Sequence, residues 1–254
     1  MVNSFKYFVS ALFAGLVLTS CSFGKKNNDE VKAQLHLQIG TTHFLNQNYP
    51  QALRELLIAE KYNSRDPVIQ NNLGLAFEVR DKIDEAERRF KRALELNKNY
   101  TDARNNLGRL YVNVGLYKKA IAELEIASND LTYEQPEKSW ANLGQAYFYD
   151  KQFDKAKTAL FNSLKLRRES CYTMNYYGRS LFELQNYKSA AESLDQAIKY
   201  CEKSSFEEPY FFSGMSFYKI GQIEKARARF NEVIAQYPKS VYAKRASEML
   251  EILK

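Results

Sequence analysis

The chain has 254 residues, of which 26% are charged and 45% hydrophobic, with a formal net charge of +7. Acidic and basic residues are interleaved along its length, so the clustered Lys/Arg stripe of a nucleic-acid reader is missing and nucleic acid is excluded as a partner. The positive balance favours an anionic membrane surface or an acidic partner.

The first element is a leader. Lys6 precedes the apolar run Tyr7–Leu18, a dozen residues that are too few to span a bilayer. The run ends in Leu18-Thr19-Ser20-Cys21. Leaders finish in small residues before the cut, and a cysteine placed directly after them resembles the bacterial lipobox. That resemblance implies a signal peptide over 1–20, with Cys21 as the new N-terminus carrying lipid on its sulfur and amine and no other cofactor. Ser22, where an acidic residue would retain the protein, implies the outer membrane with the chain on its periplasmic face. An ordinary secretory signal with a chance cysteine is the alternative. Residues 21–32 are polar and predict a flexible tether, held by more than one acyl chain where a single chain is marginal. Loss of the leader removes Lys6 and no acid, so the charge falls from +7 to +6.

From about residue 33 the sequence repeats. Gly40, Gly74, Gly108, Gly144, Gly178 and Gly214 are each followed twelve residues later by alanine: Ala52, Ala86, Ala120, Ala156, Ala190 and Ala226. The glycine intervals are 34, 34, 36, 34 and 36 residues, a period that marks a stacked-repeat architecture. Three residues after each glycine stand His43, Phe77, Tyr111, Tyr147, Leu181 and Phe217; four past each alanine stand Leu56, Phe90, Leu124, Leu160, Leu194 and Phe230. Apolar steps of three and four define one face of a helix, so each unit predicts two amphipathic helices, A and B. In the second unit these run from Pro67 to about Arg80 and from Asp84, read as the cap of helix B, to about Asn97. Small residues are expected where A and B cross.

Trp140–Leu143–Gly144–Tyr147…Ala156…Leu160 follows the tetratricopeptide pattern, and the chain resembles tetratricopeptide-repeat proteins over 33–240. The resemblance implies an all-α, right-handed solenoid of six helix pairs, at 33–66, 67–100, 101–136, 137–170, 171–206 and 207–240. Residues 241–254 predict a capping helix with Tyr242, Ala246, Met249, Leu250 and Leu253 inward.

Catalytic chemistry is not legible. Eight of ten glycines fall on repeat or turn positions, leaving none for a phosphate loop. His36 and His43 are two helical turns apart, too far to chelate one metal, and Glu55 stands out in no way. No enzyme activity, metal or small-molecule substrate is expected. Cys171 opens helix A of the fifth unit and Cys201 follows its helix B. Antiparallel packing brings these ends together, which fits a disulfide in an oxidising compartment; two free buried thiols are the other possibility.

In the tetratricopeptide family the A helices line a concave groove, at positions two before the glycine, one after it, and four or five after it. Carried over, the resemblance selects Asn72, Asn106, Asn142 and Tyr176, then Arg109, Gln145 and Arg179, then Tyr149. Carboxamides both donate and accept, as the backbone of an extended peptide requires. The Lys/Asn clamp of the chaperone-binding subfamily is not reproduced.

The first 36-residue interval holds Ala127-Ser128-Asn129-Asp130-Leu131-Thr132-Tyr133. Six repeats, this extension after the third and the lipid anchor together resemble the pilotin family of type IV pilus biogenesis. Members are outer-membrane lipoproteins that assist assembly of the secretin ring, which implies a secretin subunit as protein partner. The end of the last repeat also resembles the tetratricopeptide lipoprotein of the β-barrel assembly machine, and a scaffold for cell-wall or envelope enzymes is a third reading.

Overall fold

The computed structural model describes residues 28–201 and 206–253. Cys21, the leader, residues 21–27 of the expected tether and residues 202–205 of the fifth repeat lie outside the described residues. The described chain is helical, with no strand among those residues. It divides into two compact units at residues 103/104.

In the first unit, α1 covers residues 28–45, followed by α2 (Tyr49–Tyr62), α3 (Pro67–Glu78) and α4 (Ile83–Leu96). Helix α3 packs against both α2 and α4. Its core joins Ala33 and Leu37 of α1 to Leu56 and Ala59 of α2 and to Ile69 and Leu73 of α3. Helix α5 (Thr101–Asn113) passes through the division between the units.

The second unit continues with α6 (Tyr117–Ser128), α7 (Pro136–Tyr149), α8 (Phe153–Leu166), α9 (Cys171–Glu183), α10 (Tyr187–Tyr200), α11 (Glu208–Lys219), α12 (Ile223–Gln236) and α13 (Val241–Ile252). Each helix from α6 to α13 packs against the next, and α7 also meets α9, as α9 meets α11 and α11 meets α13. Ala243 and Ala246 of α13 are buried, and Tyr242, Met249, Leu250 and Leu253 pack on the terminal core with them.

Local chemistry explains where the helices begin and end. Helices α3 and α7 start with Pro67 and Pro136 at the first helical position, where a missing N–H costs nothing. The Asp66 carboxylate caps α3 by accepting from the Val68 and Ile69 amides at 2.7 and 3.3 Å. Ser170 and Ser240 cap α9 and α13 in the same way. The B helices differ. Each begins on the residue nine past the anchor glycine, and none has a side-chain cap bond at its N-terminus. The expected cap by Asp84 is therefore corrected: Lys82 occupies that position, and Asp84 lies in the first turn of α4. There its negative charge favours the positive end of the helix without bonding to it.

Every A helix stops by one device. The residue seven past the anchor glycine has a positive φ, between 58° and 79°, at Gln47, Asp81, Gly115, Lys151, Gln185 and Gly221. The following amide then reaches back to the carbonyl three past the glycine, at 2.8–3.0 Å in all six units, for example Lys82 to Phe77. This is the Schellman arrangement, which satisfies carbonyls left over at a helix end.

The anchor glycines are set by close approach. A Cβ built on Gly108 or Gly144 would stand 2.4 Å from Cγ of Leu124 or Leu160, and one on Gly74 would meet the Phe90 ring at 2.5 Å. The side chain that occupies the glycine's space is therefore the residue four past the alanine, while the alanine itself is fully buried in each unit.

Candidate binding groove

Positions six and two before the glycine, and one and five after it, share one face of an A helix because their spacings are four, three and four. On α7 these are Lys138, Asn142, Gln145 and Tyr149. The structure brings Asn142 and Gln145 together with Asn106 and Arg109 of α5 and Tyr176 of α9 around a cavity of about 390 Å³. Lys138, Tyr172 and Thr173 also line it, and Tyr172 is 58% exposed. All three are residues that the sequence reading missed. Lys138 and Tyr172 stand six before a glycine, so extending the same helical face by one turn would have found them.

Within this cavity the predicted amides are partly engaged by the protein itself. Asn142 Nδ2 donates to Asn105 Oδ1 at 2.9 Å, bridging α7 to α5. Asn142 and Gln145 both line the cavity, and a carboxamide offers the donor and acceptor that a peptide backbone requires. Asn72 belongs to the first unit, where its amide donates to Thr41 Oγ1 at 2.9 Å. It lines a separate cavity of about 670 Å³ with Gln38 and Thr42. Val31 and Leu35 add an exposed apolar edge to that cavity.

The aromatic residues at this end of the groove contact one another. Tyr149 stacks on Tyr117 with ring centroids 5.4 Å apart, and its hydroxyl meets that of Tyr176 at 2.5 Å. Burial pushes the Tyr176 phenol far above its ordinary range, and the Tyr149 hydroxyl and Glu208 charge push it further. Tyr176 therefore acts as a neutral hydrogen-bonding group.

Arg179 stands apart from the expectation that it faces a partner. Its side chain is only 15% exposed and pairs with Glu208 at 2.8 Å. The guanidinium lies between the rings of Phe148 and Phe212, 4.6 Å from each, a geometry in which a planar cation is attracted to both faces. Glu208 also accepts from Asn175 Nδ2 at 3.0 Å and from the Tyr242 hydroxyl at 2.8 Å. One carboxylate thus ties α9, α11 and α13 together, and Arg179 works chiefly as part of that joint.

The two cysteines and Glu55 fall as follows. Cys171 and Cys201 form a disulfide with Cα atoms 5.0 Å apart, joining the start of α9 to the end of α10. Glu55, given no role by the sequence, meets His36 Nδ1 at 2.6 Å and joins α2 to α1. Among the described residues, no group of three or more His, Cys, Asp or Glu side chains could hold a metal ion. No helix among them is long and apolar enough to cross a membrane.

Comparison with known proteins places this geometry. Residues 80–131, 137–170 and 213–240 match family descriptions that read tetratricopeptide repeat. A solved structure from the functional characterization of Pseudomonas aeruginosa PilF is similar with a TM-score of 0.78 and 18% identity, covering 87% of this chain and 99% of that one. PilW, described as a widely conserved type IV pilus biogenesis factor, gives 0.75 and 17%, covering 84% and 97%. YrrB, a tetratricopeptide-repeat protein with an unusual peptide-binding site, gives 0.63 and 18%, covering 76% and 97%. Among curated proteins, the peroxisomal targeting signal receptor of Kluyveromyces lactis is 27% identical over 37% of this chain. The match takes in only 17% of that receptor's length. Residues 80–131, 137–170 and 213–240 thus carry tetratricopeptide repeats, and the helix pairs of the described chain share the fold of these solved structures.

Proposed function

We propose that this protein is a lipid-anchored periplasmic scaffold that assists assembly of a secretin in the outer membrane during type IV pilus biogenesis. The observation that carries the reading is the likeness to PilF and PilW, which extends over 99% and 97% of those chains. The leader ending in Leu18-Thr19-Ser20-Cys21 adds the anchor. The mechanism is non-covalent. Lipid on Cys21 holds the chain at the inner face of the outer membrane, and the groove around Asn106, Asn142 and Gln145 takes an extended segment of a secretin subunit. Tethering raises the local concentration of that subunit beside its target membrane. A scaffold of this kind needs no catalytic residue.

A deletion strain tests the reading. Loss of heat-stable secretin multimers, with insertion of other β-barrel proteins unchanged, is the expected result. Normal secretin multimers in the deletion strain would overturn it. Replacement of Cys21 by alanine, assayed by membrane fractionation, is expected to release the protein into the soluble periplasmic fraction.

A further inference from the structure

Four residues before and fifteen after the anchor glycine, helix A and helix B of the first four repeats bring side chains together. In the first three repeats the pair is polar and hydrogen-bonded, and in the second it lines a polar cavity of about 380 Å³ together with Glu60, Arg88 and Glu95. His36 meets Glu55 at 2.6 Å, Gln70 meets Arg89 at 2.9 Å, and Arg104 meets Glu123 at 2.7 Å. In the fourth repeat the same positions hold Trp140 and Ala159. Here a cleft of about 420 Å³ opens, and both residues line it. It shares no lining residue with the groove.

Helix α7, which packs on both α6 and α8, gives this cleft Trp140, Leu143 and Tyr147. Glu125 of α6 and Asp154 of α8 bring carboxylates to it. We propose that the cleft is a second docking site, which takes one large apolar side chain of a protein partner flanked by lysine or arginine. Its volume lies at the small end of the range for ligand pockets, enough for a single side chain. Trp140, Leu143 and Ala159 supply apolar contact. The charge is set by the carboxylates: Asp154 is paired at 3.3 Å with Lys157 but its side chain is 79% exposed. Glu125 accepts the Tyr147 hydroxyl and keeps further acceptor capacity. Lys155, the lining cation, lies over the Tyr147 ring, 5.3 Å from its centroid. The lengthened connection before α7 adds apolar surface, since Leu131, two residues beyond the lining Asn129, is 99% exposed.

Trp140 is the one tryptophan of the chain, so its emission reports directly on the cleft. The probes are the acetylated, amidated peptide Gly-Lys-Phe-Lys-Gly and the same peptide with glutamate in place of lysine, titrated into the full chain. The lysine peptide is expected to change Trp140 emission saturably and to bind at least tenfold more tightly than the glutamate peptide. Ala159→Arg, which places a long charged side chain in the cleft, is expected to abolish the response. Glu125→Gln combined with Asp154→Asn alters only surface carboxylates and is expected to remove the preference for lysine. Asn142→Ala, in the groove, is expected to leave the response unchanged. The proposal is overturned by the absence of a saturable response, by equal binding of the two peptides, or by an emission change that tracks self-association of the chain. None of these outcomes bears on secretin assembly.

Discussion

Replacing Gly144 with alanine tests the packing logic of the whole stack. By helix propensity alone the change should stabilise α7 by about 1 kcal/mol. The tertiary contact opposes it. The new Cβ would lie 2.4 Å from Leu160 Cγ, 2.7 Å from Leu160 Cδ2 and 3.1 Å from the Leu160 backbone nitrogen. Carbon atoms normally approach to about 3.5 Å, so the overlap exceeds an ångström. Leu160 is buried and cannot swing clear; α7 and α8 must separate instead. Overpacking of this severity costs about 3 kcal/mol, leaving a net loss of about 2 kcal/mol, or a fall in Tm of about 4–8 °C for a chain of this size. Calorimetry and urea denaturation read the effect. Leu160→Ala in the same chain is expected to relieve most of the overlap, although the 3.1 Å approach to backbone remains, so the two changes together should cost less than their sum. Gly40→Ala is expected to be milder, about 1 kcal/mol or less, because its Cβ meets the Leu56 side chain at 2.9 Å. A Gly144→Ala protein as stable as wild type would refute close approach as the reason for the glycine.

Gly221 has a φ of +75° and nothing within 4 Å of an added Cβ, so Gly221→Ala isolates backbone strain and is expected to cost about 1 kcal/mol in denaturation experiments. Asp81→Gly, at the equivalent turn, is expected to leave stability unchanged or raise it by a few tenths of a kcal/mol. Removing Glu208 strands the buried Arg179 cation, and Glu208→Ala is expected to lower stability by about 3 kcal/mol, with α13 losing amide protection first in hydrogen exchange. Burial, together with the bond to Glu208 and its charge, raises the Tyr242 phenol from 10.0 to about 12. A raised value means that its contribution is complete below pH 10 and is lost as pH climbs through about 12. Tyr242→Phe should therefore flatten the fall of stability between pH 10 and 12. The disulfide closes a separation of 30 residues, and by loop entropy Cys171→Ser with Cys201→Ser should cost about 3.5 kcal/mol. Thiol labelling of the denatured, unreduced protein that finds both sulfurs free would contradict the bridge.

Much of the fold was legible because each repeat is built from local spacing. The anchor glycines, the alanines twelve residues on and the apolar steps of three and four required only helical periodicity to read. Asp84 misled because an acidic residue at a helix start serves equally as a cap or as a first-turn charge, and the boundary depends on a turn set by Asp81. The candidate groove was legible in part. Asn142 and Gln145 line it as the family resemblance implies, but no spacing reveals that Asn142 donates to Asn105 or that Arg179 is clasped between Phe148 and Phe212.

By itself, then, the sequence determined the repeat, the helix pairs and the residues that each helix turns to one face, since all of these follow from spacing within about 34 residues. Only the tertiary structure decided which polar groups are engaged. Contacts such as Asn142 to Asn105 or Arg179 to Glu208 join separate helices, and their existence depends on the rotation and approach of neighbours. The Trp140–Ala159 cleft lies between these levels. Its two residues stand at fixed repeat positions, yet its walls are shared among α6, α7 and α8 and so depend on how those helices pack.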